Sequence, residues 1–116
     1  MIKWIIRKFS EAWHRFFRKD DALVVGREPL ILALTNKPGW YVFYCPGCED
    51  NHTIFAGAGG HTLKGSNLNP TIKPSVLYES KNYSIRCHSW VTSGRIRFLN
   101  DCTHRLAGKT VDMVPL

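Results

Sequence analysis

Apolar and polar residues alternate along Arg86–Thr92 and again along Arg95–Asn100, with Ser93-Gly94 between the two runs. Period-two alternation marks a half-buried strand, and Ser-Gly is a two-residue turn signal, so the stretch reads as a β-hairpin. With Ser93 and Gly94 as the loop, Val91 faces Ile96, Ser89 faces Phe98 and Cys87 faces Asn100. Cys87, Ser89, Val91, Ile96 and Phe98 then share the more apolar face, which should point inward; Cys102 and His104 join them if the strand runs on. The opposite face carries Arg86, His88, Trp90, Arg95, Arg97, Leu99 and Asp101.

The rest of the chain reads as more short strands. Ala22–Leu34 is apolar and interrupted by Gly26-Arg27-Glu28-Pro29, which predicts two strands and a turn. Asn36–Gly39 is a turn, and the aromatic and β-branched run Trp40–Tyr44 is a strand that leads into Cys45-Pro46-Gly47-Cys48. Glu49–Asn51 reads as a polar turn, His52–Ala56 as a strand, Lys64–Pro74 as a loop with Pro breakers, Ser75–Glu79 as a brief strand and Thr110–Val114 as the last one. Gly57–Gly60 is no phosphate loop, because neither Lys-Ser/Thr nor a helical pattern follows it. Only Ile2–Lys19 has helical spacing, with Ile2, Ile5, Ile6, Phe9, Trp13, Phe16 and Phe17 on one stripe. The expected fold is therefore mainly β, a small zinc-stapled sandwich or rolled sheet. It divides into a basic amphipathic helix over 1–20 and a β domain over 22–116.

Charge sharpens that division. The 116 residues carry a formal +7, of which residues 1–19 supply six Lys/Arg against one acid, Glu11. The basic character belongs mainly to the helix, whose aromatic stripe needs a cover. Residues 1–19 are expected to dock on a protein partner, on a second copy or on an anionic membrane surface; no base-reading motif points to sequence-specific nucleic-acid binding. No run is apolar enough to span a membrane and no signal peptide is recognisable, which makes the cytoplasm the expected location.

In a reducing compartment four cysteines favour a metal over disulfides. Cys45-Pro-Gly-Cys48 at a strand end has zinc-knuckle spacing, and Cys87 and Cys102 complete the pattern C-x2-C…C-x14-C. Soft ligands favour Zn²⁺. Cys102 competes for the fourth position with His104 and His88, and His52 lies close to the knuckle.

The same stretch holds the parts of a hydrolytic site: Ser89, with His88 beside it and Asp101 and His104 after it. A serine nucleophile needs a base within hydrogen-bond reach and a third group to orient the base. Periodicity does not assemble that triad, since His88 lies on the other face from Ser89 and His104 is far along the ladder. A hairpin serine facing the core, beside histidines that ligate or hydrogen-bond, fits the pattern as well.

Taken together, Cys45–Cys48, Pro70-Thr71-Ile72-Lys73-Pro74-Ser75, Arg86–Trp90 and Asp101–Val111 resemble the motifs of a family of small phage and prophage proteins of unknown function, often mislabelled as ammonia monooxygenases. The likeness covers roughly Trp40 to the C-terminus and implies a phage-encoded protein in a bacterial host cell. A more distant resemblance, through the cysteine knuckle, the Pro-Ser segment and the Cys87–Trp90 stretch, reaches the deconjugating peptidase of bacterial ubiquitination-like operons. It implies a peptide or isopeptide hydrolase with Ser89 matching the motif serine. The alternative is a non-catalytic, zinc-stabilised interaction module with a basic docking helix.

Overall fold

The computed structural model describes residues 28–116. The helix expected over 1–20 and the first of the strands expected within 22–34 lie outside the described residues. The fold is mainly β, with two antiparallel sheets and no helix among the described residues. One sheet orders β1 (Ile31–Ala33), β2 (Trp40–Cys45) and β3 (Asp50–Phe55); the other orders β4 (Thr62–Lys64), β5 (Thr71–Glu79), β6 (Arg86–Thr92), β7 (Arg95–Phe98) and β8 (Thr110–Asp112).

The β6–β7 hairpin has the expected register, Ser89 opposite Phe98 and Val91 opposite Ile96. Ser93 and Gly94 both adopt positive φ, 48° and 78°, which gives a two-residue loop the twist that suits its strands. Inward-facing residues of both sheets form one core, with Phe43, Ile54, Ile72, Val91, Ile96 and Phe98 almost fully buried. Each such side chain contributes about 1.5–3 kcal/mol relative to exposure.

Several segments differ from the sequence expectation, among them β4, which had no strand signal. β3 begins at Asp50, pairing with Cys45, so the turn after the knuckle is shorter than Glu49–Asn51. β5 begins at Thr71, inside the stretch expected to be a loop, and Pro74 does not end it. The β5–β6 register shifts between Ile72 and Val76. Pro74 therefore sits in an irregularity where a ladder donor is not required. The Lys73–Pro74 peptide is cis.

The hairpin's second strand also stops earlier than expected. β7 ends at Phe98, and the chain folds back: Leu99 N–H donates to the His88 carbonyl at 2.9 Å, Cys102 N–H to Leu99 at 3.2 Å and Thr103 N–H to Arg86 at 2.9 Å. This turn, not a continued strand, decides where Asp101, Cys102 and His104 go.

Candidate functional site: a serine–histidine–aspartate chain backed by a cysteine–histidine cluster

Consecutive residues of β6 point to opposite faces, and the chemistry divides accordingly. Cys87 and Ser89 face inward and are buried, while Arg86, His88 and Trp90 lie on the outer face and are partly exposed.

On the inner side, Cys45, Cys48, Cys87 and His104 offer ligand atoms all within 4.8 Å of one another. Cys45 Sγ and Cys87 Sγ are 3.8 Å apart, and Cys87 Sγ lies 3.4 Å from His104 Nε2. Tetrahedral coordination with metal–sulfur bonds of about 2.3 Å separates two sulfurs by about 3.8 Å and a sulfur from an imidazole nitrogen by about 3.5 Å. The spacing fits, and these four residues could hold a metal ion. The local fold explains how they meet. The β2–β3 hairpin brings Cys45 and Cys48 to its tip, where Cys48 N–H donates to Cys45 Sγ at 3.3 Å. Gly47 is needed for room: a Cβ there would overlap the His104 ring, 2.6 Å from its Nδ1. His104 in turn packs edge-on against Phe98, centroids 4.5 Å apart.

The Cys45 and Cys87 sulfurs are buried and within hydrogen-bonding distance of each other. The hydrogen bond from Cys87 pushes the Cys45 pKa down to about 4, with further help from His52. Cys87, donating that bond and buried, is pushed well up from its ordinary value. Burial, together with the charge on Cys45, raises Cys48 to about 11. Such a group of reluctant and forced ionisations is what a cation would relieve.

On the outer side, Ser75 Oγ lies 2.9 Å from His88 Nε2, and His88 Nδ1 lies 3.2 Å from Asp101 Oδ2. A carboxylate only accepts, so Nδ1 carries the imidazole proton. In the neutral ring Nε2 is then the acceptor, and the Ser75 hydroxyl donates to it. Arg86 Nε holds the same Asp101 oxygen at 2.8 Å, and the other arm of Arg86 bonds Glu79. The Arg86 guanidinium holds the Asp101 carboxyl below its ordinary value of 3.8, with a lesser contribution from His88. Two contacts fix the serine end and the histidine. His61 Nε2 donates to the Ser75 carbonyl at 3.1 Å, and the Cys102 thiol brackets the His88 backbone, accepting from N–H and donating to C=O, each at 3.2 Å.

The candidates named from sequence are thus sorted by the turn at 99–104. His88 and Asp101 come together; Cys45, Cys48, Cys87 and His104 come together. Ser89 joins neither imidazole. It is 2 % exposed on the core face, between Val76 and Phe98, while His88 leaves the strand on the other side and His104 turns its Nε2 to Cys87. Cys102 is not in the four-residue cluster, because the early end of β7 lays its sulfur along the His88 backbone instead. Ser75 and His61 were not singled out from sequence. The signal for Ser75 was present in the Pro-Thr-x-x-Pro-Ser motif; His61 had none, since its role depends on the loop that follows β3 bridging Ala56 to His61.

Residues 11–99 match the sequence model of the family described as bacterial ubiquitination-like system serine protease (BubE). The match spans most of the chain, and the chain belongs to this family. It includes Ser75, His88 and Ser89 and ends before Asp101 and His104. Comparison with curated proteins and with solved structures gives no match.

Proposed function

We propose that this member of the bacterial ubiquitination-like system serine protease family is a peptidase in which Ser75 is the nucleophile, His88 the general base and Asp101 the residue that orients it. The observation that carries the reading is the continuous chain Ser75 Oγ–His88–Asp101, at 2.9 and 3.2 Å, with Nε2 facing the hydroxyl and Nδ1 facing the carboxylate. Ser75 Oγ attacks the scissile carbonyl as its proton passes to His88 Nε2. The imidazolium then returns that proton to the leaving amine, and water releases the acyl group by the same path. Asp101, fixed by Arg86, stays ionised and stabilises the imidazolium. The family's description makes conjugates of a ubiquitin-like modifier the substrates to try, through a peptide or isopeptide bond at the modifier's carboxyl end.

The ion we assign to the cluster is Zn²⁺, which Cys45, Cys48, Cys87 and His104 would hold; three thiolates and an imidazole are a donor set that favours it. Four protein ligands would close its coordination, so its contribution would be to staple the 101–104 turn to β6 and the knuckle. Chain residues perform the chemistry on the outer face.

The test is hydrolysis of a modifier-derived amide by the wild type and by Ser75→Ala. The reading expects a loss of about 10³-fold or more with the fold intact. A fully active Ser75→Ala variant would remove Ser75 from the reaction.

A further inference from the structure

Beyond His88 the outer face of β6 continues to Trp90 and Thr92. Across from these lie Arg97 and Arg95 on β7, and beyond them Thr110 and Asp112 on β8. Trp90, Thr92, Ser93, Arg95, Arg97 and Thr110 line a groove of about 560 Å³. It starts one same-face step along the strand from His88, about 7 Å, which is the length of two residues of extended peptide. The charges in it are not equivalent. Arg95 is paired with Asp112 at 3.1 Å, whereas Arg97 is exposed and has no carboxylate within ion-pairing distance among the described residues. An uncompensated guanidinium opposite an indole, on the same face of β6 as His88, suits a planar anion carried on an extended chain.

We propose that this groove is a substrate subsite that takes an Asp or Glu side chain of the bound peptide, a few residues from the scissile bond, with Arg97 as its partner and Trp90 as its wall. The inference rests on the peptidase reading above and adds a specificity to it. Trp90 supplies the apolar surface along which the residue's methylenes lie, and Arg97 receives the carboxylate. Arg95, already neutralised, sets the rim.

The experiment reads the rate at which a small fluorophosphonate labels Ser75, in the presence of short peptides that differ only in Glu, Gln or Lys at each position. Labelling alone tests the peptidase reading; protection from labelling tests the subsite. In the wild type a Glu peptide should protect at about tenfold lower concentration than its Lys counterpart, at one position only. Arg97→Gln should level the two peptides, and Arg97→Glu should invert their order. Arg97 is exposed, so both variants should keep the fold, checked by circular dichroism. Equal protection by Glu and Lys peptides in the wild type overturns the subsite, as does a preference that survives Arg97→Glu. Protection by a single-stranded oligonucleotide in place of the acidic peptide also overturns it. Absence of Ser75 labelling overturns the peptidase reading, and the subsite with it.

Discussion

Cys87 and His88 are adjacent on β6 and serve opposite faces: the Cys87 sulfur lies 3.8 Å from Cys45 in the cysteine–histidine cluster, and the His88 ring lies 2.9 Å from the Ser75 hydroxyl. The turn that follows β7 repeats the arrangement, with Asp101 reaching the outer face and His104 the inner one. A metal held by the cluster would therefore fix both elements that present the histidine and the aspartate.

Metal and fold should fail together. Replacing Cys45 by Ser removes one of four donors that lie within 4.8 Å of one another. It is expected to cost several kcal/mol, roughly 10–20 °C in melting temperature, together with bound zinc. Cys102→Ser should retain zinc, because Cys102 bonds the His88 backbone, not the cluster. Elemental analysis and thermal melts of the two variants check the contrast. Equal zinc loss in both would place Cys102 among the ligands.

Gly47 should resist even alanine. The added methyl group would overlap the His104 ring, so His104 must leave the cluster or the knuckle must open. Expected outcomes are weaker zinc binding, measured by competition with a chelator, and a lower melting temperature. An unchanged zinc affinity in Gly47→Ala would show that His104 is dispensable.

The pH dependence follows from Asp101. Arg86 depresses its pKa in the folded state below 3.8, so the interaction is present in full above the unfolded value and is lost only as pH falls through the lower folded one. The Asp101–His88 contact is thus expected to persist throughout the mildly acidic range. Carboxyl ¹³C titration should show Asp101 protonating below the ordinary range in the wild type and at higher pH in Arg86→Ala. Asp101→Asn is expected to lower turnover by about 10³–10⁴-fold by favouring the wrong imidazole tautomer. A wild-type Asp101 that titrates at or above 3.8 would contradict the assigned role of Arg86.

The hairpin at the heart of the fold was legible in the sequence because alternation and a two-residue turn fix a local register, and Ser89–Phe98 and Val91–Ile96 pair as that register requires. The Cys45–Cys48 pair was legible from its spacing at a strand end, and both residues join the cluster. The sequence pattern did not show where β7 stops. With a longer strand Cys102 would share the inner face with Cys87; with the strand ending at Phe98, a turn of backbone hydrogen bonds gives that place to His104. Nor did alternation single out Ser75, which only the Pro-Thr-x-x-Pro-Ser motif marked. Its meeting with His88 depends on how β5 pairs with β6 across a register shift, next to a proline that reads as a breaker. Periodicity reports which face a side chain takes, not which strand lies beside it.

The central claim is that Ser75, not the buried Ser89, is the reacting serine. The direct measurement is mass-spectrometric mapping of the adduct formed when the full chain reacts with a fluorophosphonate, repeated with Ser75→Ala and Ser89→Ala. An adduct is expected on Ser75 in the wild type and in Ser89→Ala, and none in Ser75→Ala. An adduct on Ser89, or undiminished labelling of Ser75→Ala, would contradict the claim.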